Sequence, residues 1–171
     1  MQCITPRALL TAVTMCLSLT SMPARSAETF QAEVIGIADG DTLTVLRREG
    51  WQTPTRLRVR LAEIDAPEKA QAFGQQSKQA LAALCFRQQA TLTVQGVDRY
   101  QRLIARVNCQ GVDANRRQIQ QGFAWVYEAY NDDKTLVGEQ VMAREQRRGL
   151  WQDSAPVPPW QWRRAKRQGE L

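Results

Sequence analysis

The chain has 171 residues, which suits one domain with a real core and leaves little room for a second. Its 23 Lys and Arg against 17 Asp and Glu give a net charge of +6, favouring acidic partners, nucleic acid first and an anionic membrane surface second. It contains no histidine, which excludes Ser-His-Asp triads, Cys-His nucleophile pairs, His-ligated zinc and any nuclease that relies on a histidine base.

The N-terminus reads as an export signal. Arg7 is a short basic region, and Ala8 to Leu19 is an apolar core shorter than the roughly 20 residues of a membrane span. Small residues at Ala24 and Ser26 suit cleavage after Ser26. Residues 1–26 are therefore expected to be a signal peptide, leaving an exported chain, in periplasm or medium, with no membrane attachment. They carry Arg7 and Arg25 and no acid, so the remaining net charge is +4. They also carry Cys3 and Cys16, which leaves Cys85 and Cys109 in an oxidising compartment. Two cysteines there usually pair; two buried free thiols are the alternative.

Strand patterns at Phe30 to Ile37 and Thr42 to Leu46 flank "ADGD", a hairpin turn signal. The polar connector "RREGWQTP" leads to "LRVRL", where Leu57, Val59 and Leu61 alternate with Arg58 and Arg60 as in a half-buried strand. Ser77, Ala80, Leu81, Leu84 and Cys85 then fall on one side of an amphipathic helix. "ATLTVQGV" and "LIARVN" are β-rich runs joined by the charged turn "DRYQR". Asp113 suits the N-cap of a short helix through Gln120, with Gly122 as its stop. "FAWVY" is a further short β-prone run, and "TLVGEQVMAREQRR" is a final helix ended by Gly149. From Gln152 to Leu171 the chain is Pro-rich and then basic, which reads as a tail.

This order predicts an α+β fold: a five-stranded closed barrel with about three helices packed on it, the OB-fold being the natural candidate, over residues 27–151. The polar motifs are modest one by one, since "DGDT" is an ordinary turn, "IDAP" an ordinary strand end and "DRYQR" an ordinary connector. Together they are chemically complete. Asp41 and Asp65 offer hard oxygen ligands of the kind Ca²⁺ prefers, and Glu68 is a third carboxylate able to orient water. Arg60 and Arg102 present forked donors for one phosphate from separate segments. Phosphodiester cleavage needs those parts, and without histidine Glu68 is the base candidate.

In these motifs the chain resembles the thermonuclease family, the staphylococcal nuclease-like proteins, from about Ala32 to Trp151. The matching segments, "ADGDT", "RVRLAEIDAPE", "FGQQSKQAL", "DRYQRLIARV", "NRRQIQQGFAWVY" and "RRGLW", come in the family's order. The resemblance implies the OB barrel with three helices. It implies that Arg60, Glu68 and Arg102 are catalytic, and that Asp41, Asp65 and the main-chain carbonyl of Ala66 bind calcium. By the same resemblance Asp39 stands beside the metal, Arg99 contacts the nucleotide and Tyr130 lies near a base.

Three features depart from the family pattern: Gln101 replaces a usual glycine, the loop between Glu68 and Gly74 is short, and Trp160 and Trp162 stand beside basic residues in the tail. Those tryptophans either stack on bases or pack back onto the barrel. The resulting expectation is an exported, monomeric, Ca²⁺-dependent endonuclease acting on DNA and RNA and leaving 3′-phosphates. The rivals are an OB barrel that holds nucleic acid without cutting it and a disulfide-stapled domain that binds a protein.

Overall fold

The apolar alternation read along the chain closes into a barrel. The computed structural model describes residues 27–170; the predicted export signal, with Cys3 and Cys16, lies outside them. Strands β1 (Thr29–Ile37), β2 (Thr42–Arg47) and β3 (Thr55–Leu61) form an antiparallel meander. On the other edge of β1 lies β5 (Gln89–Val97), followed by β6 (Leu103–Cys109). Parallel pairing of β3 with β6, from Val59↔Leu103 to Leu61↔Ala105, closes the five strands. Register shifts at Val34/Gly36 and Val94/Gly96 bend β1 and β5, and such bulges supply the curvature that closure needs. Val34, Leu43, Val45, Val59, Leu92 and Val107 fill the interior.

Helix α1 (Gly74–Cys85) lays Leu81 and Cys85 on the barrel, and Cys85 is disulfide-bonded to Cys109 with Cα atoms 5.4 Å apart. The bridge ties the end of α1 to the end of β6. Past the two-residue strand β7 (Val112–Asp113), α2 (Ala114–Gln120) starts where the Asp113 side chain accepts from the Arg116 N–H, as expected of an N-cap. Helix α3 (Lys134–Glu145) is capped in the same way by Asp133. Arg106 and Arg116 bind Asp133 from β6 and α2, so one carboxylate knits three elements together.

Two expectations need correction. "FAWVY" becomes a strand only at Trp125–Val126 (β8), because its partner is the equally short β4 (Ile64–Asp65), which had not been read as a separate element. The chain reverses after Leu61 with Glu63 at φ 65°, so β4 leaves the barrel sheet and pairs elsewhere. The second correction is the tail. Residues Pro159–Gln168 form a fourth helix, α4, with proline at its start and Gly169 at φ 73° as its left-handed cap. Trp160 stacks on Tyr127 at 5.6 Å and meets Trp125 edge-on at 5.8 Å. Trp162 lines a cavity of about 200 Å³ with Phe73 and Val157. Trp160 thus packs back on the body, and Trp162 is half-buried beside it. Among the described residues no helix is long and apolar enough to cross a membrane.

Candidate functional site

The site begins in the turn between β1 and β2. Gly40 does not take a left-handed backbone angle; it is small because a Cβ there would lie 1.8 Å from Ser77 Oγ and 2.9 Å from the Ala66 Cβ. The turn can thus press against the start of α1, where Gln118 Nε2 donates to the Gly40 carbonyl at 2.6 Å. That contact sinks Asp41 into the wall, with Oδ1 accepting from the Thr42 hydroxyl at 3.0 Å and Oδ2 from the Ala66 N–H at 2.6 Å.

Arg60 alternates outward from the apolar face of β3 and reaches both acids. Its Nη1 lies 3.0 Å from Asp41 Oδ2 and its Nη2 donates to Asp65 Oδ1 at 2.8 Å, while Nη1 also donates to the Leu61 carbonyl. Asp65 is held by the β4–β8 pair and its side chain is only 1% exposed. Burial raises its pKa even with guanidinium groups beside it. Burial and the neighbouring Asp41 charge carry Asp39 up to about 7.

Glu68 sits on the loop after the buried Pro67, about one-third exposed. Its carbonyl crowds the position a Gly74 Cβ would take, at 1.9 Å, so glycine lets the loop fold onto α1. The Glu68 carboxylate accepts from Arg163 Nη1 at 2.7 Å, and Arg163 Nη2 donates to Asp65 Oδ2 at 2.7 Å. Helix α4 therefore reaches the centre of the site.

Arg102 stands apart from these carboxylates. Asp98 Oδ1 accepts from the N–H groups of Tyr100 and Arg102, and Oδ2 accepts from the Arg102 guanidinium at 2.8 Å. Burial works against it, but these bonds hold the Asp98 carboxyl below the usual range. The "DRYQR" turn thus fixes its own arginine. Gln101 takes φ 60° there, the left-handed region in which glycine carries no steric penalty. Arg99 lies over the Tyr100 ring at 4.9 Å, and Tyr130 is exposed and meets Tyr127 edge-on.

One cleft of about 920 Å³ is lined by every residue that the sequence singled out for the chemistry, from Asp39 and Asp41 through Ala66 and Glu68 to Arg99, Arg102 and Tyr130. Among the described residues, no three of His, Cys, Asp and Glu are gathered so as to hold a metal by side chains alone. Asp41 and Asp65 are nevertheless two oxygen donors bridged by one guanidinium, with the Ala66 main chain next to Asp65. Asp39, whose carboxyl is pushed up to about 7 by burial first and by the Asp41 charge second, lines the cleft beside them. These residues fit a hard cation whose shell is completed by carbonyl and water oxygens.

Residues 58–153 match the family model described as "Staphylococcal nuclease homologue". The chain belongs to the staphylococcal nuclease family. It is 42% identical over 151 residues to a Haemophilus influenzae protein named "Uncharacterized endonuclease", covering 88% of this chain and 83% of that one. It is also 42% identical over 149 residues to a "Micrococcal nuclease" of Shigella flexneri, covering 81% and 83%, and 38% identical over 145 residues to "Protein ParB" of Escherichia coli, covering 78% and 79%. Of the residues that the sequence singled out, Arg60, Asp65, Ala66, Glu68 and Arg102 fall within the matched span; Asp39 and Asp41 precede it and α4 follows it.

Sequence reasoning missed Asp98, Tyr127 and Arg163. Asp98 could have been read from its two- and four-residue spacing to Tyr100 and Arg102, which suits a carboxylate gathering N–H groups in a turn. For α4 the signal was present in Pro158, Pro159 and Gly169, which bracket a helix. Trp160 and Arg163, three apart, then share a face. Nothing local says that this face meets Glu68.

Proposed function

We propose that the protein is an exported, Ca²⁺-dependent endonuclease that hydrolyses phosphodiester bonds of DNA and RNA and leaves 3′-phosphates. The observation that carries this reading is the Arg60 bridge between Asp41 and Asp65, with Glu68 lining the same cleft. It joins a phosphate-sized cationic fork, a cation seat and a base in one place. Membership of a nuclease family and two relatives whose names contain nuclease or endonuclease support the same activity. The Cys85–Cys109 bridge supports export, since disulfides persist in oxidising compartments.

In this mechanism Arg60 and Arg102 grip the phosphate oxygens and stabilise the added charge of the transition state. Glu68 orients a water and takes its proton as the water oxygen bonds to phosphorus. The bond to the 5′-oxygen breaks, and that oxygen leaves with a proton drawn from solvent. Asp41, Asp65 and the Ala66 carbonyl would hold the cation, which supplies charge neutralisation at the phosphate. Arg99 and Tyr130 line the same cleft, and in this reading they meet the neighbouring nucleotide.

A single feature favours the rival, a binding module that does not cut: Arg163 already covers Glu68 and Asp65. Plasmid and RNA cleavage by residues 27–171, with calcium, with chelator and with Glu68→Gln, separates the two. The nuclease reading expects cutting that stops with chelator and falls at least about 10²-fold in the variant. Salt-sensitive binding without cutting in any lane would replace it with the binding module.

A further inference from the structure

Asp65 has two carboxylate oxygens and both are already engaged. Oδ1 accepts from Arg60 Nη2 at 2.8 Å and Oδ2 from Arg163 Nη2 at 2.7 Å. Arg163 Nη1 lies 3.3 Å from Asp65 Oδ1 and donates to Glu68 Oε1 at 2.7 Å, so one guanidinium spans the cation seat and the base candidate. No other side-chain hydrogen bond reaches the Glu68 carboxylate among the described residues. A guanidinium fork and a divalent cation are alternative counter-ions for the same oxygens, and side by side they repel.

The two arginines are not equally free to leave. Arg60 stems from a strand in the closed barrel, is 14% exposed, and also donates to the Leu61 carbonyl. Arg163 is 34% exposed, at the end of a long side chain on the outermost helix. Trp160, stacked on Tyr127, fixes the helix itself, so the side chain can withdraw while its backbone stays in place.

We infer that Arg163 is a further functional residue of this site: it occupies the cation's place on Asp65 while tying down Glu68, and a divalent metal binds by displacing it. This rests on the calcium-dependent reading above. Arg163 is a positioning residue in this role. It holds the Asp65 and Glu68 carboxylates aligned before the metal arrives, and it sets how much metal is needed. The setting comes from α4, which follows the span matched by the family model.

Titration calorimetry with CaCl₂, on the full chain without nucleic acid, tests it apart from activity. Arg163→Ala should bind calcium about tenfold more tightly than wild type, the loss of one charge-assisted pair converted to affinity. Arg163→Lys, which keeps the charge and loses the fork, should fall between them. Arg163→Gln, nearly as long and neutral, stands in if the alanine variant does not fold, with the far-UV dichroism spectrum as the check. Unchanged or weaker calcium affinity in a folded neutral variant overturns the inference while leaving the nuclease reading intact. Calcium binding in neither wild type nor variant overturns both the inference and the calcium dependence; binding only in the neutral variant supports the inference in its strongest form.

Discussion

The two walls of the cleft approach the same carboxylate in different ways. On the barrel wall, Arg60 reaches Asp65 from a strand hydrogen-bonded on both sides, over an interior in which Leu43, Val45 and Val59 are fully buried. On the opposite wall, Arg163 reaches Asp65 from a ten-residue helix joined to the body by the Pro-rich stretch through Pro156 and Pro158. Its anchor is the aromatic group of Trp160, Tyr127 and Trp125. The difference teaches which contact is built in and which is conditional. A guanidinium on a closed barrel is part of the fold, whereas one on a peripheral helix can yield to a competing ion.

Three experiments would break or sharpen that contrast. The largest effect is expected from Arg60→Ala, which strips the phosphate fork and leaves Asp41 and Asp65 buried with less counter-charge. Cleavage should fall at least about 10²-fold, and unfolding free energy by about 3 kcal/mol, as when one partner of a buried pair is removed. Plasmid cleavage and urea denaturation measure the two losses. A variant as stable as wild type would mean that Arg60 is no more built in than Arg163.

An intermediate effect is expected from Trp160→Ala. Losing two aromatic contacts from a half-buried side chain should cost about 1–3 kcal/mol, confined to α4. Hydrogen exchange should show the Pro159–Gln168 amides losing protection while β1 to β6 keep theirs. Equal loss in helix and barrel would make them one cooperative unit and end the comparison.

The smallest change belongs to the barrel wall. Gln101→Gly relieves a left-handed glutamine but loosens the unfolded chain, so stability should rise by less than about 1 kcal/mol. Thermal denaturation would register it, and a fall in stability would show that Gln101 contributes more than it strains.

Much of this molecule was legible beforehand because its signals are local. The alternation of Leu57, Val59 and Leu61 gave β3, the Asp113 cap gave α2, and the two cysteines left after the predicted leader are joined. Asp41 and Glu68 were found where polar runs interrupt the apolar pattern, Arg60 as a polar alternate of β3, and Arg99 and Tyr130 only through the family resemblance. Two readings went astray for opposite reasons. In "FAWVY", β-propensity overstated a strand whose partner is only two residues long. In "PPWQWRRAKRQG", the density of proline and charge hid helix boundaries that the same residues supply.

By itself, then, the sequence determined the barrel, the histidine-free chemistry and the candidate acids and arginines, because strand period, turn chemistry and residue type are properties of short segments. Tertiary structure alone decided who pairs with whom. Asp41 and Asp65 share Arg60 only because parallel pairing of β3 with β6 closes the barrel and turns the chain after Leu61 back against β8. Arg163, 98 residues from Asp65 along the chain, reaches it only because Trp160 docks on Tyr127. Contacts at such separation depend on how elements pack, and no local pattern encodes that.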